Sequence, residues 1–290
     1  MPAREQVLGC PCCIECGMSR VMDLAAYFQR IGYRGRYQPD LALLSALTAA
    51  HTQAIPFENL DVLLGARISL EPDALFQKLI VERRGGYCFE QNGLFLQVLQ
   101  ELGFQVTPIS ARVRLQRPRD FTPPRTHVFL RVELEGESWL TDVGVGALSL
   151  TSPLRLATSD EQPTLHEPRR LVREGERLFH QVRFGDEWQD VCEFTLEEMP
   201  PIDREVANWF TSAHPNSHFK NRLMVARAVP DGQRLTILND QFTQRDRHGV
   251  PMTRPITSAE DLLGVLLEQF GLSFPVGTRF GGDYQSPWTR

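Results

Sequence analysis

The sequence predicts an α+β protein, with helices first, antiparallel strands second and a mixed segment last. Three observations predict it. Apolar residues recur at helical spacing through most of residues 22–102. From Gln105 onward, β-branched and aromatic residues gather in short runs separated by glycine and proline. Beyond residue 221, strand-like runs give way to a helical stretch with its own start signal.

A first helix is expected from Val21 to Ile31, stopped by Gly32. Pro39-Asp40 opens a second, with Leu41, Leu43, Leu44, Leu47 and Ala50 as its buried stripe. Ile55-Pro56-Phe57-Glu58-Asn59-Leu60 breaks that pattern. Ser69 and Pro72 start a third helix, with Leu75, Phe76, Leu79 and Ile80 on one face. After Arg84-Gly85-Gly86, a fourth runs from Cys88 to Leu102 and ends at Gly103.

The strands follow in order. Residues 105–114, 127–134 and 138–143 read as three strands, the last two joined by a hairpin turn at Gly136. Residues 171–184 read as a hairpin around Glu174-Gly175, and Trp188 to Phe194 as a further strand. Together they predict an antiparallel sheet or small barrel. Proline-bearing segments at 117–125 and 151–168 suit surface loops. A short helix is expected before Trp209. Strands at 223–229 and 234–239 are joined by Asp231-Gly232, and Ser258-Ala259-Glu260-Asp261 caps a final helix. The expected division is an extension at 1–20, a helical domain at 21–104, a barrel at 105–220 and a C-terminal domain at 221–290.

Composition narrows the function. Of 290 residues, 42% are apolar and 23% charged, which suits a soluble globular chain. The net charge of −5 and the lack of a long basic run argue against nucleic acid as a partner. No apolar stretch reaches the roughly 18 residues of a membrane span, so no membrane partner is expected. The first twenty residues show no export pattern, so the expected compartment is the cytoplasm, where thiols stay reduced.

Four of six cysteines crowd into Cys10-Pro11-Cys12-Cys13-Ile14-Glu15-Cys16. Zinc sites usually pair two separated ligand couples, and no second couple follows. This stretch is therefore expected to be a disordered extension, and no metal is assigned.

The chemistry lies elsewhere. Cys88 follows two glycines at the start of a helix; His127 opens a strand; Asp142 ends the next one. A base within hydrogen-bond reach, or a helix N-terminus, makes a thiol more acidic, and Cys88 is placed to have both. His127 would take the thiol proton, and Asp142 would fix the imidazole tautomer. The free N–H groups at the helix start would face an oxyanion on an attacked carbonyl. Each residue alone is more often structural than catalytic, and a bare Cys, His, Asp order is common.

The surroundings make the pattern specific. Ile55-Pro56-Phe57-Glu58-Asn59-Leu60-Asp61, Arg84-Gly85-Gly86-Tyr87-Cys88-Phe89-Glu90-Gln91-Asn92, Thr126-His127 and Asp142-Val143-Gly144-Val145-Gly146 resemble the arylamine N-acetyltransferase family. Asn208-Trp209-Phe210-Thr211-Ser212, continuing to Phe219, is a looser match. The resemblance runs from about Met22, itself a candidate natural start, to the C-terminus.

The resemblance implies a helical domain, a β-barrel and an α/β C-terminal domain, with a triad arranged as in cysteine proteases. It implies a ping-pong acyltransferase, using acetyl-CoA as donor and a Cys88 thioester as intermediate. The acceptor would be an arylamine, arylhydrazine or N-hydroxyarylamine. No metal is required, and a monomer or homodimer is expected. Glu58 and Arg84 would pair to brace the cysteine loop, and Phe57 would line the aryl pocket. Gly144 and Gly146 would let pantetheine pass close to the backbone. Thr126, Thr211 and Ser217 are further candidates for contact with CoA.

One departure matters. Family members often carry Phe between the two glycines after the aspartate, and this chain has Val145. A roomier acceptor pocket is expected. Two alternatives use the same triad: an amide synthase acting on a polyketide acyl chain, and a thiol hydrolase. A non-enzymatic binding protein would not need the triad.

Overall fold

The structure is a computed structural model, and it describes residues 22–115, 117–281 and 284. The cysteine cluster at 10–16, and the metal question attached to it, lie outside the described residues.

Local chemistry sets the helix ends. Helix α1 (Leu24–Ile31) begins where Asp23 accepts from Ala26 N at 3.0 Å and ends at Gly32, in the left-handed region at φ 70°. Helix α2 (Leu41–Ala54) begins where the Asp40 carboxylate accepts from Leu43 N at 2.8 Å. After strand β1 (Phe57–Glu58) and the single turn α3 (Leu60–Leu63), helix α4 (Pro72–Phe76) has its proline in the first turn. The third helix differs from expectation: it does not continue as α-helix but widens into a π-helical segment, Gln77–Val81. The widening accompanies partly buried ion pairs from Lys78, which reaches Asp61 at 2.7 Å and Glu90 at 2.6 Å. Helix α5 (Cys88–Glu101) then carries the cysteine at its first position.

Seven antiparallel strands form the middle of the chain. They are β2 (Gln105–Val113), β3 (His127–Leu134), β4 (Glu137–Thr141), β5 (Leu154–Arg155), β6 (Arg169–Glu174), β7 (Arg177–Phe184) and β8 (Glu187–Glu198). Their order in the sheet is β5-β4-β3-β2-β8-β7-β6. Gln162 links the two edges. Its side chain accepts from Arg155 N at 2.7 Å, and its backbone exchanges bonds of 2.7 and 2.9 Å with Arg169. The sheet thereby curls into a nearly closed barrel around Ile109, Phe129, Leu150, Val182, Val191 and Phe194.

The barrel strands end at Glu198, before the expected boundary at 220. Helix α6 (Pro201–Ala213) and the short α7 (His218–Asn221) follow it and turn back to the first segment. Asn208 accepts from the Tyr87 hydroxyl and donates to Ile68 O at 3.1 Å. Trp209, expected after a short helix, lies inside α6 and is 58% exposed, because Pro201 starts a helix long enough to include it.

The last sheet takes a strand from the first segment. Its order is β1-β9-β10-β11-β12, with β9 (Met224–Ala228), β10 (Arg234–Leu238), β11 (Gln241–Arg245) and β12 (Pro251–Pro255), all antiparallel. Helix α8 (Ala259–Phe270), capped by Ser258 accepting from Asp261 N, packs Leu262, Val265, Leu266 and Phe270 against it. The helical core joins Tyr27, Leu44, Leu47, Leu79, Phe95 and Val98 to the β3 side chains Leu130 and Val132. Helix α5 is thus wedged between helices and barrel, and its first residue faces the strand that carries His127. Among the described residues, no helix is long and apolar enough to cross a membrane.

Candidate active site

The approach to Cys88 is built from close backbone contacts. Glu58 N donates to Gly86 O at 3.0 Å, and Gly86 N donates to Pro56 O at 3.4 Å. A β-carbon on Gly85 would sit 2.1 Å from Pro56 O, and one on Gly86 would sit 2.7 Å from a Glu90 oxygen. Both positions therefore need glycine for space. Arg83, just before them, holds a left-handed φ of 55°. Buried Arg30 ties this entry down, donating to Ala54 O at 2.7 Å, Leu79 O at 3.1 Å and Arg83 O at 3.3 Å.

Glu58 and Arg84 meet beneath the turn. The Glu58 carboxylate, fully buried, accepts from Arg84 Nη2 at 2.7 Å and from Leu60 N at 2.7 Å. Arg84 also donates to Asp61 at 2.8 Å and lies 4.5 Å from the centre of the Phe274 ring. Glu90 Oε2 accepts from Tyr87 N at 3.0 Å, which closes the first turn of α5.

A second polar chain runs behind the cysteine. The Tyr27 hydroxyl donates to His51 Nδ1 at 3.0 Å, and His51 Nε2 donates to Gln91 Oε1 at 2.7 Å. Gln91 Nε2 then donates to Pro56 O at 2.7 Å and Gly86 O at 3.2 Å. Burial lowers His51 to about 4, so the ring is neutral, as this bonding requires.

The structure brings Cys88, His127 and Asp142 together. All three are buried, at 3%, 1% and 0% exposure. Cys88 Sγ donates to Thr126 O at 3.6 Å, and His127 Nε2 bonds Asp142 Oδ2 at 2.8 Å. That leaves Nδ1 as the ring nitrogen available to Cys88. Burial alone would lower His127. The charge of Asp142 and its hydrogen bond outweigh that, helped by Cys88, and raise the imidazole to about 10. The ring is therefore poised to hold a proton near neutral pH. Phe129 meets the ring in a T-shaped contact at 4.9 Å between ring centres.

The remaining residues divide. Phe57 is half-buried and meets Phe219 edge-on at 6.2 Å, in the cluster that includes Tyr87, Cys88 and Val128. A β-carbon on Gly146, whose φ is 86°, would lie 3.3 Å from the Phe57 ring. A β-carbon on Gly144 would lie 2.8 Å from both Cys88 Cα and Asn92 Nδ2. The protein's own helix fills that space. Val145 points into the barrel core with Phe129 and Leu148 and is 9% exposed. Thr126 contributes its carbonyl to the cysteine.

Thr211 and Ser217 are brought to each other. Thr211 Oγ1 donates to Ala207 O at 2.8 Å, and Ser217 Oγ donates to Thr211 O at 2.5 Å while accepting from Phe219 N. Both are buried. Their hydroxyl protons are used in the turn that presents Phe219. Sequence reasoning assigned no role to Asn92, Gln91, Lys78 or Phe219. Gln91 and Asn92 lie three and four residues after Cys88, a spacing that puts them on its side of the helix.

Comparison with known proteins decides the family. A sequence profile described as N-acetyltransferase matches residues 40–278. The chain belongs to the arylamine N-acetyltransferase family. The arylamine N-acetyltransferase of Mycolicibacterium smegmatis is 44% identical over 91% of this chain and 96% of its own. That of Escherichia coli K12 is 42% identical over 85% of this chain and 87% of its own. The structure of the Mycobacterium marinum arylamine N-acetyltransferase in complex with CoA superposes with a TM-score of 0.82 at 41% identity, covering 86% of this chain and 92% of that one. As a family member the protein is an acyltransferase of α+β architecture.

Proposed function

We propose that the protein moves an acetyl group from acetyl-CoA to an arylamine, arylhydrazine or N-hydroxyarylamine through a thioester on Cys88. The observation that carries this is the buried bond from Asp142 Oδ2 to His127 Nε2 at 2.8 Å, with Cys88 Sγ held against Thr126 O, the residue before that histidine, at 3.6 Å. The naming of relatives as arylamine N-acetyltransferases, and a similar structure holding CoA, support the choice of donor and acceptor.

The steps follow from the groups present. His127 Nδ1 takes the Cys88 proton. The thiolate attacks the acetyl carbon of the donor thioester, and the carbon–oxygen double bond opens to an oxyanion. The N–H groups of Cys88 and Phe89 precede the first helical bond, Glu90 N to Tyr87 O at 3.0 Å, and so face outward to receive it. The carbonyl re-forms as the bond to the CoA sulfur breaks, and His127 protonates the leaving thiolate. Neutral His127 then takes a proton from the amine as its nitrogen attacks the Cys88 thioester. Amide forms, and the Cys88 thiolate leaves and recovers its proton from His127. Asp142 keeps its charge throughout and holds the ring by Nε2.

Phe57 and Phe219 form the aromatic wall beside the cysteine, suited to stacking an aryl acceptor. A reducing compartment such as the cytoplasm suits a nucleophilic thiol.

The test is intact mass after brief mixing with acetyl-CoA in the absence of amine, for wild type and Cys88→Ala. One acetyl group gained only by wild type, and discharged by 5-aminosalicylate, is the expected result. No adduct on wild type overturns acetyl transfer. An adduct lost to water as fast as to amine makes the protein a thioester hydrolase.

A further inference from the structure

One buried polar side chain that the mechanism does not use ties the cysteine's helix to the strand of His127 and to Asp142. Asn92 is 1% exposed and lies one helical turn beyond Cys88 on α5. Its Nδ2 donates to Asp142 Oδ1 at 2.8 Å and to Val128 O, next to His127, at 2.9 Å. Its Oδ1 accepts from Val143 N, next to Asp142, at 3.1 Å. A side-chain amide offers two donor hydrogens and an acceptor, and all are used here.

We propose that Asn92 is the positioning residue that holds nucleophile, base and acid in register. Asp142 Oδ1 takes Asn92 Nδ2 and Gly144 N, the latter at 2.9 Å. With Oδ1 occupied, Oδ2 is the oxygen turned to His127. The same amide pins the first turn of α5 to β3 and to the end of β4, so the thiol cannot shift against the imidazole. Glycine at 144 makes the clamp possible, since a β-carbon there would lie 2.8 Å from the Asn92 nitrogen. Hydroxyl and carboxylate side chains are poor substitutes. Serine is too short to reach both strands, and an ionised carboxylate has no hydrogen to donate and would oppose Asp142. The inference rests on the assignment of Cys88, His127 and Asp142 given above.

The experiment compares wild type, Asn92→Ala, Asn92→Ser, Asp142→Asn and the Asn92→Ala/Asp142→Asn double variant, all full length. Two readouts are taken: the single-turnover rate of Cys88 acetylation by acetyl-CoA, and the pH profile of Cys88 alkylation by iodoacetamide, followed by peptide mapping. Loss of the clamp is expected to slow acetylation about 10- to 100-fold, as when the outer partner of an oriented histidine is removed. The alkylation profile is expected to move to higher pH. The double variant is expected to be no slower than Asp142→Asn alone, because both changes break one unit. A lowered melting temperature with an unmoved alkylation profile would make Asn92 merely structural and overturn the proposal, as would full additivity in the double variant. If Asn92→Ala does not fold, Asn92→Ser decides, by the same profile. A wild type that is alkylated at Cys88 but never acetylated would overturn the acetyl-transfer reading instead, and the alkylation profile would still decide the role of Asn92.

Discussion

Glu58 and Arg84 form a 2.7 Å ion pair directly beneath the cysteine turn, and the carboxylate is wholly buried. Removing one partner of such a pair leaves an uncompensated charge, at a cost of about 3–5 kcal/mol. Arg84 keeps Asp61 at 2.8 Å, so Glu58→Gln is expected at the lower end of that range. Urea unfolding at neutral pH measures it. A loss below about 1 kcal/mol would mean that the turn does not depend on this pair.

Asp142→Asn presents an amide where His127 Nε2 now meets a carboxylate at 2.8 Å. The amide can donate to that nitrogen and so favour the wrong tautomer, while the charge that holds the imidazolium disappears. The rate of Cys88 acetylation is expected to fall by about three to four orders of magnitude. Stopped-flow release of CoA is the measurement, and a near-wild-type rate would remove Asp142 from the mechanism.

Burial lowers His51 to about 4, against 6.5 for the free side chain. The unfolded chain therefore binds more protons than the folded one between these values. Stability is complete above about pH 6.5 and is lost as pH falls toward about 4, by on the order of 3 kcal/mol from this group. His51→Gln is expected to flatten the dependence on pH in this window. Urea midpoints at pH 7.0 and 5.0 test it, and an equal loss in variant and wild type would sink the assignment.

Val145 is nearly buried in the barrel interior beside Phe129. Val145→Phe adds volume to a packed site, so a loss of about 1–3 kcal/mol is expected along with altered relative rates among aryl acceptors. Thermal melts and a panel of substituted anilines separate the two effects. Unchanged selectivity would mean that this position does not shape the acceptor pocket.

What could be read in the sequence was local. Asp40 and Ser258 announce helix starts because their side chains bond backbone N–H groups three residues on. Gly32, Gly136 and Gly175 mark reversals because each adopts positive φ. The cysteine turn was legible because its glycines and its nucleophile are consecutive. β12 was not, since Pro251 to Pro255 is exposed throughout and shows no apolar alternation. β1 is two residues long and owes its strand geometry to β9, far away in the chain. The π-helical widening depends on where Asp61 and Glu90 stand around Lys78, and no short window contains all three. Asn92 escaped notice for the same reason: it stands in the motif, but its partners are on two later strands.

The pairing of β1 with β9 also bears on the order of events during synthesis. Asn59, next to the strand that cradles the cysteine turn, accepts from Met224 N at 2.9 Å across 165 residues of chain. Its amide nitrogen also donates to Phe219 O and Arg222 O, both at 2.7 Å. A growing polypeptide that has already released Cys88, His127 and Asp142 from the ribosome still lacks the segment that braces the Glu58 side of the turn. Such a long-range closure is slow to form and comes late. The bracing of the turn therefore waits for residues 219–224, made well after the cysteine, the histidine and the aspartate.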